Sequence, residues 1–151
     1  MSQINAAEKT ADRMEIEDLA KRYAHGIDGR RWEQVDACFS PAAEVHGTTF
    51  SGPYPQYMGS LRKAVESYRT TMHFFGNQLT ELSGDTGRCV TYGIAYHLGS
   101  GTGQDFVIGV RYTDDVARAD GRWVISGRVV EGIWRQPLGA EVTELSAPRH
   151  G

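Results

Sequence analysis

The sequence predicts an α+β fold: three helices, then a long antiparallel sheet. Two observations carry that expectation. Three stretches before residue 70 place apolar residues at helical spacing, and four later runs alternate in polarity between turn-forming segments. Helices packed in the concave face of a strongly curved, mostly antiparallel sheet would give a cone-shaped α+β barrel. Its open mouth would be a natural small-molecule pocket.

The first helix is the anchor of the reading. In IEDLAKRYAHGID, residues Ile16, Leu19, Ala20, Tyr23, Ala24 and Ile27 form one apolar stripe. The helix is expected to open near Ala11–Glu17, with residues 1 to about 10 peripheral, and to end at Gly29 as a C′ residue. Glu17 with Lys21 and Asp18 with Arg22 are i,i+4 pairs on its outer face. A shorter helix is expected from Arg30 to Phe39, stopped by Ser40-Pro41, and a short strand over Glu44–Phe50. Tyr57 to Thr70 reads as a third helix. Strands are expected over His73–Leu82, Arg88–Leu98, Asp105–Ala117 and Arg122–Trp134. The connecting SGDTG, GSGTG and ADG segments are hairpin-type turns.

Length and composition restrict the function. A chain of 151 residues suits one domain, 1–151, with residues 138–151 as a second peripheral tail. A net charge of −3 with no basic patch argues against nucleic acid. No apolar run approaches the roughly 20 residues of a membrane span, and the polar N-terminus lacks a secretory h-region. Cys38 and Cys89 form no motif and read as buried thiols in a reducing cytoplasm. His25, His46, His73, His97 and His150 show no metal-ligand spacing, and no phosphate loop or nucleophile elbow is present. The expectation is chemistry by side chains alone, with no cofactor and no metal.

Four residues stand out as catalytic candidates. Asp28 ends the first helix, where IDG is compatible with a simple turn. A carboxylate there meets the negative end of the helix dipole, an unfavourable position unless a donor or cation answers it. His73 lies where the third helix gives way to the first long strand. Paired with Asp28 it becomes a general base, one ring nitrogen held and the other free to take a proton. Arg128 sits in an otherwise apolar last strand; it is either a solvated outward arginine or a fixed cation for a substrate oxygen. Tyr23 is either a core tyrosine or a hydrogen-bond donor to the substrate. His97, Phe74, Tyr92, Phe106, Ile108 and Trp134 are candidates for the pocket wall. Alternation leaves open which strand face looks inward.

At these residues the chain resembles the SnoaL-like branch of the nuclear transport factor 2-like superfamily. The resemblance runs from IEDLAKRYAHGIDGRRW through MHFFGN to DGRWVISGR. Within that branch it is similar to cofactor-independent lyases: bile acid 7α-dehydratase, hexachlorocyclohexane dehydrochlorinase and, more distantly, scytalone dehydratase. It implies that Asp28 and His73 form a proton-abstracting dyad and that Arg128 and Tyr23 assist the leaving group. A tyrosine at position 23 leans toward an oxygen leaving group, and His97 falls near a second histidine of scytalone dehydratase. The implied function is a dehydratase acting on a hydrophobic cyclic or aromatic substrate. An isomerase or polyketide-type cyclase using the same base is the alternative, and a non-catalytic binding domain the second. The resemblance also implies a homo-oligomer, dimer or trimer.

Overall fold

A computed structural model describes residues 5–102 and 104–139. The expected C-terminal tail beyond residue 139 lies outside the described residues. Helix α1 (Ala6–Asp28) is followed by α2 (Trp32–Asp36), β1 (Phe39–His46), β2 (Ser51–Pro53) and α3 (Tyr54–Glu66). Four long strands complete the order: β3 (Thr70–Ser83), β4 (Thr86–Leu98), β5 (Phe106–Ala119) and β6 (Arg122–Pro137).

The helices differ from expectation at their ends, for local reasons. Helix α1 starts five residues earlier because Asn5 and Glu8 form a reciprocal capping box that satisfies two otherwise free N–H groups. At its other end Gly29 has φ −86°, and the left-handed residue is Arg30 at φ 54°. Helix α2 is only one turn, and Ser40-Pro41 does not interrupt the chain: both lie within β1, which begins at Phe39. Helix α3 starts at Tyr54 with a proline in its first turn, where a missing N–H goes unneeded.

The strands form one six-stranded sheet in the order β2-β1-β6-β5-β4-β3. All pairings are antiparallel except β1 with β6, which is parallel. Curled over α1 and α3, the sheet closes a core of Ile16, Leu19, Ile27, Val35, Val45 and Ile125.

Single-residue bulges decide which side chains face inward. On β3, Thr71, His73 and Phe75 face the helices. A bulge at Asn77 (φ 44°) then reverses the alternation, so Gln78 and Thr80 turn inward and Leu79 turns out. β6 has two irregularities against β5. One, near Ser126, makes Arg128 the partner of Asp114. The other, at Ile133, makes Arg135 the partner of Ile108 and sends Trp134 outward. The convex face consequently exposes Phe74, Leu79, Tyr92, Ile94 and Trp134.

Ile125 is completely buried at the β6–β1 junction, where its N–H donates to the Cys38 carbonyl. Truncation of Ile125 to alanine should lower stability by about 2–5 kcal/mol in urea unfolding monitored by circular dichroism.

Candidate functional site

The end of α1 and the start of β3 meet at Asp28. Its carboxylate accepts three hydrogen bonds, all from β3: the His73 backbone N–H (2.7 Å), the Thr71 hydroxyl (3.0 Å) and His73 Nδ1 (2.7 Å). These donors answer the unfavourable helix-end position. Thr71 is oriented in turn by Arg30, which donates to its hydroxyl at 2.8 Å. Arg30 also donates to the carbonyls of Ile27, Val65 and Tyr68, tying α1, α3 and β3 together at this corner. With Asp28 accepting from Nδ1–H, the His73 lone pair lies on Nε2.

Two openings flank the His73 ring. An outer cleft of about 370 Å³ is bordered by Asp28, Lys21, His25 and Arg31 as well as His73. A larger hollow of about 510 Å³ lies on the concave side, bordered by His73 but not by Asp28. His73 borders both openings, while Asp28, which holds its Nδ1, borders only the outer cleft. Leu61, Val65, Ile108, Val110 and Val130 give it apolar walls; Tyr23, Tyr57, Tyr112, His97 and Arg135 bring polar groups.

The three tyrosines share one electrostatic environment. Burial holds the Tyr23 hydroxyl well above the usual phenol range, reinforced by Tyr112 and Tyr57 and only partly opposed by Arg128. Burial likewise raises Tyr57 and Tyr112. All three remain protonated donors across the physiological range. Behind them, Arg128 is fully buried and held by Asp114 through Nε (2.6 Å) and Nη2 (2.8 Å). Burial opposes its charge, but the Asp114 carboxylate outweighs this and holds the guanidinium above its ordinary value. The guanidinium carbon lies 4.4 Å from the Tyr23 ring centroid, 4.5 Å from Tyr112 and 5.0 Å from Phe39.

The structure therefore brings together Asp28, His73, Tyr23, His97, Phe106 and Ile108 around the hollow or against His73. Arg128 differs from expectation: it does not border the hollow but supports the tyrosine wall from behind. Phe74, Tyr92 and Trp134 do not line the hollow either. They lie on the convex face, because the alternation that puts His73, Gly93 and Arg135 inward puts these three outward. Tyr57, Tyr112, Thr71, Asp114 and Arg135 were not expected. Asp114 was legible in principle, as an acid in an apolar strand facing the arginine strand, but only once the bulge near Ser126 is known.

The match to known families decides the ancestry. Residues 8–129 fit the model of the SnoaL-like domain, which is most of the chain. The chain belongs to the SnoaL-like domain family. This SnoaL-like domain is 29% identical over 133 residues to the uncharacterized protein Rv2910c of Mycobacterium tuberculosis, covering 85% of this chain and 89% of that one. Among solved structures it is similar to the hexachlorocyclohexane dehydrochlorinase LinA-type3 of Novosphingobium barchaimii, with TM-score 0.81 and 20% identity. That match covers 94% of this chain and 99% of the other. It is also similar to ActVI-ORFA of Streptomyces coelicolor, at TM-score 0.68 and 15% identity, over 82% of this chain and 96% of that one. These structures share the nuclear transport factor 2-like fold, matching the resemblance carried by the sequence. Among the described residues no cluster of metal-ligating groups is present, and no helix is long and apolar enough to cross a membrane.

Two predictions follow from the site's electrostatics. Asp114→Ala strands a buried guanidinium and should cost about 3–5 kcal/mol in urea unfolding. Asp115→Ala, which breaks an exposed pair with Arg88 one position along, should leave the unfolding midpoint nearly unmoved. Burial, with His73 nearby, pushes His97 down to about 4. The unfolded chain therefore takes up a proton below about pH 6.5 that the folded chain refuses. Stability should fall by up to about 3 kcal/mol as pH drops from 6.5 to 4. His97→Phe should flatten that part of the stability–pH profile.

Proposed function

We propose that this protein is a cofactor-independent lyase, a dehydratase acting on a hydrophobic cyclic or aromatic substrate. One observation carries the reading: an imidazole held by Asp28 at Nδ1 borders a largely apolar hollow that Asp28 itself does not line, which leaves Nε2 as the nitrogen for a ligand. In the proposed step, Nε2 removes a proton from a carbon made acidic by a neighbouring carbonyl or aryl group. The C–H electron pair forms the new double bond as the C–O bond breaks. Asp28 stabilises the resulting imidazolium, and a protonated tyrosine, Tyr23 first, donates to the departing hydroxide. Arg128 positions the Tyr23 and Tyr112 rings and touches no ligand. The same base without a leaving group would serve an isomerase or cyclase, whose product keeps the substrate's mass.

The test is mass spectrometry on a panel of cyclic and aryl β-hydroxy carbonyl compounds. A product lighter by one water is expected. Asp28→Asn or His73→Ala should each lower the rate about 100-fold or more, and the double variant should be little worse than the poorer single one. Turnover that survives His73→Ala would overturn the mechanism. Failure of every compound either to lose water or to exchange a proton with solvent would favour a binding domain.

The reading extends to assembly. We infer that the exposed apolar convex face, with Phe74, Tyr92, Ile94 and Trp134, is covered by further copies of the chain. Light scattering should give a dimer or trimer mass for the wild type, and Trp134→Asp should shift it toward the monomer.

A further inference from the structure

The hollow carries one feature that the elimination step does not use. Among the described residues that border it, Arg135 is the only lysine or arginine. It faces inward because the irregularity at Ile133 places it opposite Ile108. Among the described residues no carboxylate lies within salt-bridge distance of it, although the chain carries a net negative charge. The other arginines near this site are committed elsewhere. Arg128 holds Asp114, Arg30 holds three carbonyls and Thr71, and Arg31 belongs to the outer cleft.

Although Arg135 is exposed at the rim of the hollow, its guanidinium rests on an aromatic ring. Its carbon lies 4.0 Å from the Phe106 ring centroid, and the His97 ring stacks on Phe106 at 4.3 Å with the planes 7° apart. Both groups therefore pack on the one Phe106 ring. His97 continues the row to His73, whose ring centroid is 6.0 Å from its own. A charged fork thus stands at one end of a row of rings, Phe106 stacked on His97 and His97 edge-on to His73, with the His73 base at the other. Thr48 and Thr49 border the same hollow and add hydroxyl side chains.

We propose that Arg135 is a specificity-determining residue that receives a carboxylate, so that the ligand is an apolar acid bound at two points. The carboxylate lies in the guanidinium fork, which suits its two oxygens. The ring body fills the apolar walls, and the reacting carbon is delivered to Nε2. Fixing both ends selects one face and one carbon of an otherwise featureless hydrocarbon skeleton. This rests on the hollow being the ligand site, as the proposed function has it.

The experiment compares 2-naphthoate with its neutral isostere 2-naphthamide. Binding is followed by NMR titration, using the His73 and His97 imidazole signals to report occupancy of the hollow. Wild type should bind the naphthoate about five- to tenfold more tightly, and added salt should narrow the gap. Arg135→Leu should bring the two affinities together, Arg135→Lys should keep part of the preference, and Arg111→Leu, on an exposed arginine paired with Glu131, should keep all of it. Equal affinities in wild type, or a preference that survives Arg135→Leu, would overturn the inference and leave the hollow as a site. Absence of any shift at His73 and His97 with either compound at millimolar concentration would overturn both.

Discussion

The site depends on how one carboxylate at a helix end is satisfied. Asp28 sits where the helix dipole disfavours negative charge, and all three of its donors come from the first four residues of β3. That clasp joins α1 to the sheet edge and fixes the His73 ring in the same act. Arg30 reinforces it from a left-handed backbone position, reaching carbonyls on two helices and the Thr71 hydroxyl. Removing the carboxylate would leave the imidazole unheld and the corner without its pin.

A second buried charge does comparable work at the back of the hollow. The Arg128–Asp114 pair is enclosed by Tyr23, Tyr112 and Phe39, so its attraction is little screened. It orders the ring wall; within it Arg128 tempers the rise that burial gives Tyr23 and Tyr112, while Asp114 pushes the other way. The Asp28 clasp and this pair divide the labour: one holds the His73 ring, the other keeps the tyrosine rings in place.

Much of this could be read from residues alone. The stripe through Ile16, Tyr23 and Ile27 located α1, and turn residues located the hairpins. The odd placement of Asp28 called for a donor or cation, and the family resemblance named His73, forty-five positions away, as that partner. What failed was parity. Period-two alternation holds only until a bulge, and bulges lack a reliable signature in residue type. Asn77 hid the switch that turns Leu79 outward, and the irregularity at Ile133 hid the one that turns Trp134 outward and Arg135 inward. Arg128 was found by pattern and kindred, but its partner Asp114 required the register. The α1 start was missed because a capping box in a polar leader resembles a frayed end.

Those one-residue offsets make the lining unusually sensitive to chain length. Substitution changes one position of the wall; loss of a single codon at Phe75, with the rest of the strand held in register, would invert the residues before it. Phe74 would then compete with His73 for the interior. New ligand preferences in such a scaffold can therefore arise by slippage of a strand, in one genetic event, without any new side chain being invented.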